Sequence, residues 1–479
     1  MSTQNKTARE QERTPSGLCG CAPDSRRAPQ KDALDIFIEK LLAAAKAGGV
    51  DKAEAYLRKT ESFQSFVESG EVSEYGVNSS GGLALRALIG GKMGTAYTEA
   101  FDDDAIDMLV SRVLESASLI EDPDEQFLFE GSPSYAELDT LARTPGGGTA
   151  DEKIKYACDL EKLALSLDPH VTKLGYQNGV ESTHTQVRIV GTNGLNLRHE
   201  ADGIGAIVTP VAKRGERTSD SLGLRLARNL SDLPMEELAR EAVAEAVFML
   251  DAAPCESGSY EVILRFDAMS MMLMTFQGVF SAENTQKGLS LLNGKVGETI
   301  AAPCVTLKDD PHREGGPGSR PFDDEGVATF PKNVIDGGKL TTLLHNLKTA
   351  KKDGVAATGN ASKGSYAATV KVAPSNFHFQ PGENDLDALC ERMGEGLVIT
   401  DLAGTHSGAN DISGEFSLLS KGYRVRGGKK AEPVEQITVA GNFFDMLKHI
   451  KAVGSDLRFP FGGAGSPSVW VGTLSVAGK

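Results

Sequence analysis

The sequence predicts an α+β protein in which an N-terminal antiparallel sheet with helices, built as two similar halves, is followed by a β-rich C-terminal domain. Helical periodicity and strand-like alternation come in separate runs, which is typical of α+β folds rather than of a doubly wound parallel sheet. Short apolar strands separated by glycine and asparagine turns dominate the last fifth of the chain. At 479 residues the chain is too long for one ordinary core, so two or three domains are expected.

Residues 1–31 are polar and are predicted to form a disordered tail, because they carry too few apolar side chains to offset the entropy of ordering. This segment contains Cys19 and Cys21, the only close cysteine pair. We interpret the pair as part of the tail rather than a metal or redox site, since no further Cys or His cluster lies nearby.

The first α+β part is predicted over residues 32–124. Asp32 is a plausible N-cap for a helix that ends at Gly48-Gly49. Alternating segments then predict about four strands of an antiparallel sheet with one solvent-exposed face: residues 53–58, 63–67, 82–89 and 93–97. A helix from about Ala105 to Ile120 is expected to cover the other face.

The second α+β part is predicted over residues 125–232 and repeats the order of helix and strands. Residues 121–150 are interpreted as a linker because proline and glycine interrupt the periodicity. Helices are expected at Glu152–Leu167 and Pro234–Leu250, with strands between them. The β-rich C-terminal domain is assigned to residues 233–479.

An apolar helix is predicted at Asp267–Ala282, within the C-terminal domain. It is rich in methionine and apolar nearly all round, which favours a buried core helix. The alternative is that it lines a partner surface or a peptide channel, because methionine-rich surfaces adapt to varied peptides. A second, short helix is expected at Asp385–Met393.

Charge and composition limit the classes of function. With 50 basic and 66 acidic side chains the net charge is −16, which disfavours nucleic-acid binding, since that binding depends on Lys and Arg neutralising phosphates. No run approaches the roughly 20 apolar residues that span a bilayer, and no apolar segment follows a basic start. We therefore expect a cytoplasmic protein without a membrane contact, and six scattered cysteines agree with a reducing compartment.

Several separate sequence blocks follow one another in a fixed order. In the C-terminal region they are Gly408–Ser417, Pro433-Val434, Ile437–Asn442, Asp445–Leu447, Val453–Leu457 and Ser466–Ser468, and two more lie upstream at Ser80–Arg86 and Phe322–Val327. Through these blocks the chain resembles the TldD/PmbA family, and the resemblance extends over most of the chain from about residue 32.

The resemblance implies a zinc site in those relatives that bind metal. They carry His-Glu-x-x-x-His on a helix and a further Cys ligand toward the C-terminus; such ligands hold zinc, and the Glu accepts a proton from the bound water. In this chain the motif would fall at residues 273–278, which read Leu273, Met274, Thr275, Phe276, Gln277 and Gly278. No two of the eight histidines are four or five residues apart, and no Cys follows Cys390. This departure is the pattern of the family's PmbA (TldE) branch, so no metal and no catalytic residue is expected in this chain.

Several further segments carry polar or glycine-rich patterns that could form a site. Asp323-Asp324-Glu325 could suggest a cation site but is interpreted as a solvated turn, because glycine follows it and prolines flank it. His406, with Asn410, Asp411 and Glu415, lies in a glycine-rich loop and is assigned a turn or partner-contact role rather than acid-base catalysis. The glycines of residues 314–319 lack the Lys-Ser/Thr of a nucleotide loop, and Ser466-Pro467-Ser468 is no nucleophile elbow.

The resemblance implies a non-catalytic subunit of a zinc metalloprotease that completes a chamber and binds unfolded or peptide substrates beside a TldD-like, zinc-bearing partner. The degenerate motif positions are Leu273, Met274 and Gly278, and the candidate peptide or partner contacts are Met271, Phe276, His406 and Asn410. A homodimer is the alternative when the partner is missing. Two other functions stay open: a stand-alone, metal-independent hydrolase, and a regulatory protein-binding module of the DNA gyrase modulator type.

Overall fold

A computed structural model describes residues 33–121 and 127–479, and it confirms the α+β class with a β-rich C-terminal domain. The predicted tail at residues 1–31, with Cys19, Cys21 and the expected cap Asp32, lies outside the described residues. Within the described residues, no helix combines the length and the apolar character that crossing a bilayer requires.

The helices are α1 Ala33–Ala47, α2 Asp103–Leu119, α3 Ala150–Leu167, α4 Met235–Met249, α5 Phe266–Phe276, α6 Ala282–Gln286, α7 Leu347–Asp353, α8 Leu386–Met393, α9 Thr405–Gly408 and α10 Phe443–His449. The strands of the N-terminal half are β1 Lys52–Glu68, β2 Glu71–Ile89, β3 Lys92–Thr98, β4 Val171–Leu174, β5 Gly179–Gly191, β6 Asn196–Val208, β7 Pro210–Arg214, β8 Arg217–Asp220 and β9 Gly223–Ala227. Those of the C-terminal half are β10 Gly258–Leu264, β11 Leu307–Asp309, β12 Lys332–Asp336, β13 Lys339–Leu340, β14 Ala361–Ser362, β15 Lys371–Val372, β16 Phe377–Phe379, β17 Gly396–Ala403, β18 Glu415–Arg426, β19 Lys429–Asn442, β20 Ala452–Val453, β21 Ala464–Gly465 and β22 Val469–Ala477.

The two N-terminal halves share one six-stranded sheet in the order β3-β2-β1-β5-β6-β9. Strands β1 and β5 join them, pairing antiparallel from Glu54 opposite Gly191 to Phe66 opposite Gly179. Helices α1 and α2 pack on the first half around Leu41 and Leu109, and α3 and α4 pack on the second. The two similar α+β parts predicted from the sequence therefore each contribute three strands to a single sheet.

The face of this sheet opposite the helices is buried around Glu54 and Tyr56, whereas the sequence predicts a solvent-exposed face. Glu54 and Tyr56 on that face are only 1% and 0% exposed. Tyr56 packs with Val187, Ile189 and Phe322, the last of which belongs to the C-terminal domain. The C-terminal domain covers this part of the face, which the polar alternation of β1 does not reveal.

Strands β1 and β2 are longer than the sequence predicts. Residues 59–62 and 71–81 show no regular alternation of buried apolar side chains. Nevertheless β1 and β2 pair from Lys52 opposite Leu88 to Glu68 opposite Glu71, with one bulge between Phe66 and Val67. Ser69 and Gly70 connect them, with φ of 57° and 79°, as a two-residue hairpin turn requires. Cross-strand pairing extends the hairpin beyond the apolar segments that predict it.

The C-terminal domain has a large core built on the strand order β10-β17-β18-β19-β22-β20, with β10 also pairing with β22. A second sheet, β13-β12-β11-β16-β21, packs into the same core. Helix α4 belongs elsewhere: Leu238, Ala242 and Ala246 lie in the core of the second N-terminal half. The domain boundary assigned from the sequence at residue 233 would place α4 in the C-terminal domain, although its buried side chains pack in the core of the second N-terminal part.

Helix α5 is buried in the C-terminal core, but it is shorter than predicted. It ends at Phe276, a 3₁₀ turn follows at Gln277–Phe280, and α6 begins after Ser281. The Phe276 ring stacks on Phe443 with ring centres 4.6 Å apart and an interplanar angle of 12°. Asn284 donates its side-chain amide to the carbonyl of Gly278 at 2.9 Å, which fixes the turn after the helix.

Replacing Phe276 by Ala is expected to lower the free energy of unfolding of the C-terminal domain by about 3–5 kcal/mol, because the ring is fully buried and leaves a cavity. Thermal or urea unfolding measures the loss. Leu419→Ala is the control, since Leu419 is 57% exposed, and it should change stability by less than about 0.5 kcal/mol. Equal effects of the two substitutions would contradict the packing described for α5.

Candidate functional site

The degenerate motif positions lie on two faces of α5 and the turn that follows it. Leu273 is fully buried, whereas Met274 and Gly278 are half-buried. Met271 and Met274, with Thr275, form the half-buried stripe of the helix at the expected spacing. The stripe therefore carries two thioethers and one hydroxyl, and it has neither an imidazole nor a carboxylate.

The other candidate peptide or partner contacts differ in their exposure to solvent. Phe276 is 0% exposed and lies in the core, so it presents no surface to a peptide or partner. His406 and Asn410 are exposed on the connection between β17 and β18. The Asn410 side-chain oxygen accepts the amides of Ile412 and Ser413, both at 3.0 Å, and so closes a local turn.

The Asp323-Asp324-Glu325 segment is buried, and its interpretation as a solvated turn was wrong. The three residues are 0%, 5% and 7% exposed. Asp323 accepts the amides of Glu325 and Val327 at 3.0 Å and that of Ala361 at 2.9 Å. The Gly326 that suggested an exposed turn instead packs near Leu195 and Leu197 of the N-terminal half.

Side chains from the inner face of the N-terminal sheet meet this acidic segment. Tyr56 donates its hydroxyl to Asp324 at 2.8 Å. Arg86 donates twice to Glu54, at 3.0 and 2.8 Å, and its guanidinium lies 3.8 Å from Glu325. We call Glu54, Tyr56, Arg86 and residues 323–325 the polar junction, because they join the two halves of the protein.

Burial is the main cause of the shifted pKa values in and beside the polar junction. Desolvation, with a smaller effect of the nearby Glu325 charge, raises the pKa of Asp323 to about 7. Desolvation and the Asp324 charge also raise the pKa of Tyr56, so its hydroxyl stays a donor. Lys363 lies with its amine 4.0 Å from the centre of the Tyr56 ring, and burial lowers its pKa to about 8.

A groove of 630 Å³ opens beside the polar junction, between the N-terminal sheet and two loops of the C-terminal domain. Strands β5, β6 and β9 form one wall, and residues 315–320 and 460–462 form the other. The apolar lining consists mainly of Val187, Ile204, Ile207, Leu224, Leu226 and Phe322. The volume is in the range of pockets that hold small molecules or short chain segments.

Two arginines in the groove are held by neighbouring groups. Arg58 donates to the carbonyl of Lys363 at 3.0 Å, and Arg320 to Asp324 at 3.4 Å. Desolvation, and then the charge of Arg320, lowers the pKa of His199 to about 4, so its imidazole is neutral at pH 7. The groove therefore combines apolar walls with a few oriented polar groups.

The glycine-rich loop at residues 315–319 serves as a wall of the groove. The Gly318 amide donates to Asn376 at 2.7 Å, and a β-carbon at this position would lie 2.5 Å from the carbonyl of Ser375. Only glycine allows the loop to approach so closely. The sequence already argued against a nucleotide-binding loop at these residues. In the structure, Gly318 is required by the close approach of the loop to Ser375 and Asn376.

Sequence reasoning missed Tyr56, Arg86, His199 and Arg320. A signal was present: charged and aromatic residues alternate along β1 on the face that was taken as exposed, from Glu54 through Tyr56 to Arg58. Without a view of the C-terminal domain, this alternation looks like a solvated strand face.

The sequence of this chain matches models of a known protein family. Three parts of the chain match a PmbA/TldA metallopeptidase family: domain 1 at residues 53–117, the central domain at 145–250 and the C-terminal domain at 257–478. This chain belongs to the PmbA/TldD metallopeptidase family. The suspected resemblance is thereby confirmed.

Relatives of the family match along nearly their whole length. The metalloprotease PmbA of Escherichia coli O157:H7 is 26% identical over 437 residues, covering 90% of this chain and 93% of that protein. A metalloprotease of Methanothermobacter thermautotrophicus is 29% identical over 423 residues, covering 85% and 89%.

Two solved structures agree with the fold. A chain from Thermotoga maritima, described as a modulator of DNA gyrase, superposes with a TM-score of 0.85 at 34% identity over 93% of this chain and 100% of that one. TldE from Thermococcus kodakarensis has a TM-score of 0.84 at 20% identity, covering 92% and 100%; at that identity it shows the fold alone.

The residues of this chain do not fit the metal that the family description implies. At the two His positions of the motif this chain has a buried leucine, Leu273, and a glycine, Gly278, neither of which can bind zinc through its side chain. At the Glu position it has Met274, which cannot accept a proton from a metal-bound water. In the part of the chain that the structure describes, no three His, Cys, Asp or Glu side chains group as a metal site.

His199 is expected to make stability depend on pH. Because its pKa is lowered in the folded state, the unfolded chain takes up the proton first, so stability decreases as pH falls from about 6.5 to about 4. His199→Gln should reduce this loss, measured as the change in Tm between pH 7 and pH 5. His406→Gln, at an exposed position, should keep the wild-type profile. An unchanged profile in His199→Gln would contradict the burial of the neutral imidazole.

Proposed function

We propose that this chain is the non-catalytic, TldE-like subunit of a metallopeptidase that acts on unfolded or peptide segments. The observation that carries the proposal is at α5 and the turn after it: where metal-bearing relatives are expected to carry the two His ligands and the Glu of the motif, this chain has Leu273, Gly278 and Met274. The metal would then belong to a TldD-like partner chain, and this chain would bind and orient the substrate.

The groove supplies a place for an extended segment. Strand β9 is at the end of the N-terminal sheet and pairs with β6 from Ile204 opposite Ala227 to Val208 opposite Gly223. In the described residues no further strand pairs with its other side, so a segment in the groove can add to it by backbone hydrogen bonds. Such pairing tolerates many sequences, while Leu224 and Leu226 supply apolar contact.

The polar groups of the groove suit this role better than acid-base catalysis. His199 and Arg320 are fixed beside the apolar wall, and their neighbours are backbone carbonyls and the polar junction. The neutral imidazole of His199 has one donor and one acceptor nitrogen, and Arg320 can donate to the carbonyls of a peptide backbone. The rigid glycine-rich loop keeps the groove open.

A regulatory protein-binding role is the second candidate, and the Thermotoga maritima relative favours it by its description as a modulator of DNA gyrase. An affinity-tagged chain expressed at its native level distinguishes the two. Recovery of a family member with the His-Glu-x-x-x-His motif favours the peptidase subunit, and recovery of a type II topoisomerase without it favours the regulator.

The purified chain mixed with the zinc-bearing family member of the same genome is expected to cleave an unfolded, dye-labelled casein faster than either chain alone, by about tenfold. A chelator should abolish this activity without changing the Tm of this chain. Metal analysis of this chain alone should give substoichiometric zinc. A pair no faster than the zinc-bearing chain, or stoichiometric zinc here, would overturn the proposal.

Filling the groove should reduce that activity. Thr183 lies on β5 and lines the groove, so Thr183→Trp is expected to lower cleavage of labelled casein by the pair by about tenfold. Thr218→Trp, at an exposed position of β8 away from the groove, is the matched control and should keep wild-type activity. Equal activity of the two variants, both folded by circular dichroism, would exclude the groove as the substrate path.

A further inference from the structure

The groove has one closed end, at the polar junction. Along β5 the residues that line it extend from Glu181 to Val187. The next residue on the same face of the strand, Ile189, is fully buried and packs with Tyr56 and Phe322. An extended chain that enters the groove beside Glu181 therefore comes to an end near Val187.

The length of the groove suits a short peptide. At the closed end Val187 lies opposite Arg58 of β1. At the open end Glu181 lies opposite Gly205 of β6. Gly205 in turn lies opposite Leu226 of β9. Strands rise about 3.3 Å per residue, so an extended chain of about six residues spans the roughly 20 Å between the two ends.

Arg58 brings a positive charge to the closed end. Its side chain is half-buried, lines the groove and donates to the carbonyl of Lys363 at 3.0 Å. Among the residues that the structure describes, no carboxylate lies within ion-pair distance of this guanidinium. A guanidinium has five N–H donors in a planar fork that matches the two oxygens of a carboxylate. Arg58 thus keeps donors for a carboxylate that enters the groove.

The carboxylate of the protein that lines this end, Asp324, is already engaged. It accepts from the Tyr56 hydroxyl at 2.8 Å and from the Lys363 amide at 2.7 Å. Arg320 also donates to it, at 3.4 Å. Because Asp324 and Arg320 balance each other, the charge of Arg58 is left for a ligand.

The surroundings of Arg58 suit the last residue of a peptide. Val187 and Phe322 are 8% and 4% exposed and offer an apolar surface at the closed end. The imidazole of His199 meets the Phe322 ring edge-on, with ring centres 6.1 Å apart. Since this imidazole is neutral at pH 7, it has one donor and one acceptor nitrogen for the backbone of the bound residue.

The charges at the two ends of the groove favour one direction of the peptide. Glu181 is exposed at the open end, and Arg58 lies at the closed end. The ends are farther apart than the Debye length of about 8 Å at physiological salt, so each charge acts on its own end of a ligand. A free amine at the closed end would meet the like charge of Arg58, whereas a carboxylate there meets an opposite charge.

We propose that the closed end of the groove binds the C-terminal carboxylate of a peptide through Arg58, with an apolar last side chain against Val187 and Phe322. This inference rests on the proposed peptide-binding function and names the part of the substrate that the groove recognises. An internal acidic side chain offers the same carboxylate. Its main chain, however, would have to continue past the fully buried Ile189.

Titration calorimetry of the full chain alone with three acetylated octapeptides tests this inference. The first is Ser-Val-Thr-Ser-Val-Thr-Ala-Leu with a free C-terminal carboxylate, the second is its C-terminal amide, and the third is that amide with Glu in place of Ala. The free acid should bind about tenfold more tightly than the amide, because a charged hydrogen bond is made only with the acid. The Glu peptide should bind no more tightly than the amide.

Arg58→Gln should remove the preference for the free acid and leave the affinity for the amide unchanged. A change in the shape of the groove would instead weaken both peptides alike. Arg58→Lys keeps the charge without the planar fork, so it should keep part of the preference. Arg228→Gln is the matched control: Arg228 also lines the groove but is paired with Asp139 at 2.9 Å, so the tenfold preference should remain. Circular dichroism and Tm check the folding of each variant.

The inference fails if wild-type protein binds the acid and the amide equally, if it binds none of the three peptides, or if the preference survives in Arg58→Gln. Tighter binding of the Glu peptide than of the amide would also refute it, since Arg58 would then recognise internal acidic side chains. None of these measurements involves a zinc-bearing chain. Cleavage of labelled casein by the pair tests the proposed function separately and can succeed where the carboxylate contact fails.

Discussion

The polar junction holds the two walls of the groove, the N-terminal sheet and the loops of the C-terminal domain, in a fixed position relative to each other. Tyr56 and Arg86 come from the N-terminal sheet, and residues 323–325 from the C-terminal domain, so the groove walls are held by contacts between buried charges and hydrogen-bonding groups. Such contacts add little net stability when complete, but removing one partner leaves a buried charge unpaired and costs about 3–5 kcal/mol. The junction therefore fixes the relative placement of β9 and the glycine-rich loop more strongly than it stabilises either domain.

The fold class and the helices were predictable because their signals are local. The apolar repeat of Leu41 and the residues around it, and that of Leu109, are properties of short segments and survive any tertiary arrangement. The same holds for α5, whose burial follows from its composition. Its early end at Phe276 depends on the turn that Asn284 fixes, a contact six residues beyond Gly278 that periodicity does not reveal.

The groove was not predictable from the sequence, since its parts lie far apart along the chain. The acidic segment at residues 323–325 looks solvated in the sequence because Gly326 follows it and prolines flank it, and Arg320 is the only partner close to it along the chain. Its partners Tyr56 and Arg86 are more than two hundred residues away. His199 likewise resembles any strand histidine until Arg320 and Phe322 are placed beside it. Long-range packing, rather than residue type, gives these side chains their properties.

The pairing of β1 with β5 has a consequence for the synthesis of this protein. The residues of β1 leave the ribosome well before those of β5, since their partners lie over one hundred positions later. During that interval the nascent hairpin can bury one edge of β1 only. The emerging chain therefore exposes an unpaired edge of β1 until β5 is made, and a fragment that stops before residue 179 would keep that edge open to pairing with other chains.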